Sequence, residues 1–373
     1  MPKQKLQTSA IQKIKRLAGI RETPFLVLEK EAIPNKYRLT REALPDARVF
    51  YAVKANADRR IIELLHAQGC GFEVSSAQEL KLVIGCGVPP NQIISSNPLK
   101  STNFIKAAHQ AGVNYFAFDS KGEIGKLAEF APGSNVYVRL SVPNEGSEWP
   151  LDRKFGVEAE QAVQLLTEAA KESLVPCGIT FHVGSQCAST KAWSDAIKKC
   201  SQVWQQAKDK GLELKMVNIG GGFPVQHNRA VPHITEIART IHDVIKQEFP
   251  DDVEIFAEPG RYLVGEAGTL VSSVIAKASR NGENWLYLDV GVFNGLMESL
   301  GGIQYSMSTD KENPLQKWVV AGPSCDSMDL ISNEVHLPEP EIGDTVYISP
   351  AGAYTTAYAS RFNGISIPRT YFI

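Results

Sequence analysis

The chain has little of what marks secreted, metal-bound or nucleic-acid-binding proteins. Its six cysteines (Cys70, Cys86, Cys177, Cys187, Cys200 and Cys325) include no C-x-x-C pair and no histidine partner at zinc spacing. That argues against a disulfide framework and a structural metal, and suits a reducing cytoplasm. Charge is nearly balanced, with a net −2 and a pI near 6.4, so nothing points to nucleic acid or an anionic membrane. No apolar stretch reaches the length needed to span a bilayer. A soluble protein acting on a small molecule is the expectation that remains. Residues 1–20 carry five Lys or Arg without an apolar run of signal-peptide length, and the spacing of Ile11, Ile14 and Leu17 reads as an amphipathic terminal helix rather than a transit peptide.

What is present is a series. Eight short apolar runs occupy residues 49–54, 71–75, 93–97, 115–119, 136–141, 178–182, 216–220 and 253–258, and nearly every one ends in a polar or glycine-rich cluster. Between them lie stretches such as 60–67 and 158–171, where apolar residues recur at three- and four-residue intervals. Strand and helix in alternation imply a parallel sheet covered by helices, and eight such units close a (β/α)8 TIM-type barrel. After Arg261 the texture turns to β-rich runs at 262–278, 285–290, 318–321, 345–349 and 365–373, with 301–314 reading as a loop. The α/β chain is therefore expected to comprise an N-terminal extension (1–24), the barrel (25–260, with 25–28 lent to the other domain) and a C-terminal β-sandwich or β-barrel domain (261–373).

A barrel collects the C-terminal ends of its strands at one mouth, so strand-end residues are the candidates for chemistry. Lys54 closes the first run, where lost solvation lowers an amine's pKa and equips it to form a Schiff base. Gly220-Gly-Gly222 follows the seventh run, with Ser185 at the end of the sixth and Arg261 after the eighth, a pattern of donors suited to a phosphate. Glu258 ends the eighth run and would keep a pyridine nitrogen protonated, while His182 could lie flat on such a ring. Lysine, phosphate cup and carboxylate together describe a pyridoxal 5′-phosphate site. A metal site fits poorly, because His182 has no second ligand at helical spacing.

Six motifs carry a resemblance over about residues 24–373: Tyr51-Ala-Val-Lys-Ala-Asn56, Phe181-His-Val-Gly-Ser-Gln186, Gly220-Gly-Gly-Phe-Pro224, Glu258-Pro-Gly-Arg261, Gly322-Pro-Ser-Cys-Asp326 and Gly352-Ala-Tyr354. In them the chain resembles the fold-type III pyridoxal-phosphate decarboxylases of ornithine, arginine and diaminopimelate. The resemblance implies that Lys54 carries the cofactor, that His182 stacks on its ring and that Glu258 pairs with its nitrogen. It further implies that Ser185, Gly221, Gly222, Gly260, Arg261 and Tyr354 hold the phosphate, and that Glu79 lies near the Schiff base. Family enzymes are head-to-tail homodimers in which Cys325 and Asp326 would complete the partner's site. Racemases of the same architecture place an arginine by the ring nitrogen and use a tyrosine base; Glu258 and Cys325 stand here instead, favouring decarboxylation.

The motif Cys325-Asp326-Ser327 is the form seen in enzymes for basic amino acids, which implies ornithine first and lysine second, leading to polyamines. Two departures stand out. Val290 occupies the position of a family acidic residue, leaving Asp289 and Glu298, the latter on an expected specificity helix, as further substrate-binding candidates; Glu73 stands where the family usually has Asp. The alternatives are a decarboxylase of conjugated diamino acids in siderophore or peptide pathways, and a catalytically inactive regulatory homologue.

Overall fold

The computed structural model describes residues 2–373, with side chains from residue 10 onward. The chain forms two compact units, one of Met1–Ile33, Val225–Ala230 and Leu263–Ile373, the other of Pro34–Pro224 and Val231–Tyr262. The second unit is the barrel. Its parallel strands are β1 (Ala47–Ala52), β2 (Gly71–Glu73), β3 (Ile93–Ile94), β4 (Tyr115–Phe118), β5 (Asn135–Arg139), β6 (Val175–Thr180), β7 (Met216–Asn218) and β8 (Glu254–Ala257). Pairing runs β3-β2-β1-β8-β7-β6-β5-β4. The ring is completed where Ser95, just past β3, bridges Phe116 of β4.

Sequence explains the local choices. The turns after the strands end in side chains that accept from the first free amides of the following helix: Asp58 for Arg59–His66, Ser76 for Ala77–Gly85, Ser101 for Thr102–Gln110 and Ser120 for Lys121–Phe130. Each cap of this kind is worth about 1 kcal/mol. Inside, Phe50, Ile94, Ala117, Tyr137, Cys177, Met216 and Phe256, from seven different strands, pack into one buried cluster with Tyr115 against it. The barrel is a filled core rather than a pore.

The other unit is a mostly antiparallel sheet ordered Ser306–Ser308, Thr345–Ser349, Gly268–Arg280, Glu283–Leu288, Leu315–Ala321 and Leu330–Pro338. The strand Phe25–Leu28 pairs antiparallel with residues 268–271 and parallel with Arg369–Phe372. Several sequence expectations change here. Residues 1–33 and 225–230 group with this unit, because Phe25–Leu28 finds its ladder there. The run expected as strand from 262 begins with a helical turn, Arg261–Val264, and 301–314 contains the strand Ser306–Ser308. In the N-terminal helix Pro2–Ala18, Ile14 packs with Phe25, Val27 and Val271, whereas Ile11 is exposed.

Among the described residues no helix is long and apolar enough to cross a membrane, and no cluster of His, Cys, Asp and Glu could hold a metal. Three buried thiols set an alkaline limit. Burial pushes Cys177 up to about 12 from 9.0, and raises Cys70 and Cys200 likewise. The unfolded chain would lose these protons above pH 9 while the folded state keeps them, so stability falls as pH rises, by about 1.4 kcal/mol per unit for each thiol. Lys100 opposes this between about 8 and 10.5, since burial lowers its pKa to about 8. Three thiols outweigh one amine. Unfolding temperature should therefore drop above about pH 9, and Cys200→Ala should flatten that alkaline limb in calorimetry; an unchanged slope would refute the assignment.

Candidate active site

Lys54 does not end β1 as the sequence suggested. It sits in the 3₁₀ turn Val53–Ala55 that follows, and its side chain is half exposed. Its Nζ lies 2.9 Å from Oε2 of Glu73, a fully buried carboxylate at the end of β2. Oε1 of Glu73 accepts from the Ser75 hydroxyl at 3.0 Å and from Ser96 N at 3.4 Å. The glutamate at the family's usual aspartate position thus still reaches the lysine. Glu79 accepts from Ser75 N at 2.7 Å, and its pKa is raised, chiefly by burial and secondarily by Glu73, against the lowering pull of the Ser75 amide and Lys54.

His182 lies just past β6. Burial, then the charges of Arg139 and Lys54, hold its pKa well below the ordinary value, so the ring is neutral. Its Nδ1 accepts from Gly184 N at 3.0 Å, which assigns the proton to Nε2. Ser185 proves to begin a separate short strand, Ser185–Cys187, paired with Ser147–Trp149, rather than to end β6. Its hydroxyl accepts from Arg261 Nη2 at 3.2 Å, and the Arg261 side chain is buried.

The turn Gly220-Gly221-Gly222 follows β7. Gly222 has φ +95°, and a Cβ there would stand 2.4 Å from Gly184 O. Asn218 Oδ1 caps the turn by accepting from Gly220 N at 2.9 Å. Gly260 packs as closely on the Lys54 segment, where a Cβ would meet that of Ala55 at 3.0 Å.

Glu258 is buried past β8. Burial and Glu73 raise its pKa, while Lys54 and hydrogen bonds from Ser96 and Asn218 lower it. Both hydrogen bonds end on Oε1; among the described residues Oε2 accepts none. Four residues at this rim carry no motif signal: Ser96, Tyr137, Arg139 and Asn218. Ser96, Arg139 and Asn218 share a polar group at or just past the end of an apolar strand, whereas Tyr137 reaches the rim from within β5.

The β unit holds the remaining candidates. Cys325 is exposed, with its N and Sγ at 3.2 and 3.4 Å from Oδ1 of Asn363. Asp326 is partly exposed and accepts from Met328 N through Oδ1 at 2.8 Å. Buried Asp329 secures this loop, accepting from Ser324 N at 2.9 Å and Val292 N at 2.8 Å. Tyr354 has φ +62° and stacks on Tyr358. Asp289 is spent elsewhere: its carboxylate accepts from Ser272 Oγ (2.6 Å), Ser273 N (3.0 Å) and Thr23 Oγ1. Val290 is fully buried, and Glu298 is buried in the 3₁₀ turn Met297–Gly301 rather than carried on a helix.

A phosphorylated pyridine aldehyde needs an amine for its carbonyl, bare amides for its phosphate and an acid anion for its nitrogen. The half-exposed Lys54, the glycine turn beside Ser185 and the unspent Oε2 of Glu258 fit those three needs. The barrel is thus that of a pyridoxal 5′-phosphate enzyme. Residues 30–265 match the family model described as pyridoxal-dependent decarboxylase, pyridoxal binding domain. The chain belongs to that family, the fold-type III pyridoxal-phosphate decarboxylases, and is an amino-acid carboxy-lyase.

The chain is 37% identical to the lysine/ornithine decarboxylase of Selenomonas ruminantium, over 96% of this chain and 92% of that protein. It superposes on the lysine/ornithine decarboxylase of Vibrio vulnificus complexed with cadaverine with a TM-score of 0.90, at 32% identity, covering 97% of this chain and 98% of that one. The arginine decarboxylase of Paramecium bursaria Chlorella virus gives 0.91 at 27% identity, covering 98% and 100%.

Gly222→Ala should cost roughly 1–3 kcal/mol through backbone strain alone and weaken binding of pyridoxal 5′-phosphate more than of unphosphorylated pyridoxal. Equal weakening of both in a binding titration would place the turn outside the phosphate site.

Proposed function

We propose that the protein decarboxylates a basic L-amino acid, ornithine first and lysine second, as a homodimer with shared sites. The observation that carries the substrate reading is Asp326. Of the three acids considered for the substrate's distal ammonium, Asp289 is committed to Ser272, Ser273 and Thr23, and Glu298 is buried. Asp326 is partly exposed, and among the described residues its Oδ2 accepts no hydrogen bond. Val290 is buried and presents nothing to a substrate, so no observation favours a pocket enlarged for conjugates. The relative from Vibrio vulnificus, crystallised with cadaverine and with putrescine, supports a diamine-sized product.

When bound, pyridoxal 5′-phosphate supplies an aldehyde for the substrate amine and a ring that accepts the electron pair left as carbon dioxide departs. Lys54 is the residue that holds the cofactor between turnovers, with Glu73 orienting its Nζ. His182, neutral, packs on the ring without repelling its positive nitrogen, and Glu258 keeps that nitrogen protonated. Ser185, Gly221, Gly222, Gly260, Arg261 and Tyr354 bind the phosphate, and Glu79 supports the lysine side. Cys325 Sγ, exposed on its loop, delivers a proton in the partner's site.

Carbon dioxide release should be found with ornithine and lysine, and Asp326→Ala should lower kcat/KM for both by about 10- to 150-fold, the worth of one charge-assisted hydrogen bond. Wild-type enzyme that ignores both amino acids would overturn the substrate reading. Mixing inactive Lys54→Ala with inactive Cys325→Ala subunits should restore up to roughly a quarter of wild-type activity, because half the random dimers hold one intact site of two. No recovery despite subunit exchange would exclude shared sites.

A further inference from the structure

Glu258 is buried where water cannot support its charge, and its two oxygens are treated unequally. Oε1 accepts from the Ser96 hydroxyl and from Asn218 Nδ2 at 2.5 Å, whereas Oε2 accepts nothing among the described residues. Ser96 Oγ also lies 2.6 Å from the Tyr137 hydroxyl. Ser96 has one hydroxyl proton and gives it to Glu258, so Tyr137 is the donor in that second pair. The result is a directed chain from Tyr137 through Ser96 to Glu258. Asn218 is fixed at its other end, since its Oδ1 accepts from Gly220 N and only Nδ2 can face the carboxylate. All four side chains are buried, and they come from the ends or interior of β3, β5, β7 and β8. A buried carboxylate satisfied only for stability would be bonded on both oxygens.

We propose that Ser96 and Asn218 are positioning residues that hold Glu258 through Oε1 and reserve Oε2 for the ring nitrogen of the cofactor. The inference rests on the reading of Glu258 as that nitrogen's partner. The two donors fix the rotation of the carboxylate and support its negative charge beside Glu73. Asn218 also ties the carboxylate to the glycine turn, so ring and phosphate share one rigid reference.

The test compares apoprotein affinity for pyridoxal 5′-phosphate and for its 1-deaza analogue, which has carbon in place of the ring nitrogen. Any loosening of the glycine turn weakens both ligands alike, so their ratio isolates the nitrogen. Wild type should prefer the nitrogen ring by about 10- to 150-fold. The preference should shrink about tenfold or more in Ser96→Ala/Asn218→Ala and stay near that of wild type in the single variant Ser96→Thr, which keeps both donors. Equal wild-type affinities would sink the reading of Glu258; a wild-type preference undiminished in the double variant would sink this inference alone. On the apoprotein, the infrared band of the protonated carboxyl, assigned against Glu258→Gln, should appear about one to two pH units higher for each donor removed. An unmoved band would likewise overturn the proposal. If the alanine variant does not fold, Ser96→Cys keeps the volume with a weaker donor and is read in the same two ways.

Discussion

Closure of the barrel is the constraint from which the rest follows. Eight parallel strands form a ring only if the interior is filled, and here side chains from seven of them fill it. Once the ring is shut by the bridge between Ser95 and Phe116, residues far apart in sequence are brought to one rim. Ser96 and Glu258 stand 162 positions apart and share a hydrogen bond. No local motif could hold that geometry; the circumference does.

The rim is also an exercise in charge balance. Burial raises the pKa of Glu258, and the neighbouring carboxylate of Glu73, itself buried, raises it further. Lys54 offsets this, paired with Glu73 and attractive toward Glu258. Burial keeps His182 neutral, and Arg139 and the same lysine charge add to the effect. One lysine therefore helps set the ionisation of Glu258, His182 and Glu79, in a setting where Coulomb interactions are much stronger than in water.

Much of this was legible in the sequence, for physical reasons. Parallel strands buried on both faces read as continuous apolar runs, and glycine turns and a lysine at a strand end stand out against them. Other features were not legible. Asp289 looked available for substrate, but the hydroxyls of Thr23 and Ser272 reach it only through long-range packing. Lys54 moved from strand to 3₁₀ turn, Ser185 from β6 to a separate pair, and Glu298 from helix to buried turn, because boundaries depend on ladders a linear pattern does not contain. Ser96 and Asn218 gave no signal, since a small polar residue in a strand reveals its value only when its partner across the ring is known.

The strand Phe25–Leu28 carries a consequence for biogenesis. It is flanked by residues 268–271 on one side and by Arg369–Phe372 on the other. A chain emerging from the ribosome presents this strand early, yet neither neighbour exists until the whole barrel segment has been made, and the second only once residues 369–372 follow. The barrel can therefore assemble from consecutive βα units as they appear, while four fully buried apolar residues wait with no sheet to join. During that interval Phe25–Leu28 is an unpaired hydrophobic edge, the kind of segment chaperones shield and aggregates recruit.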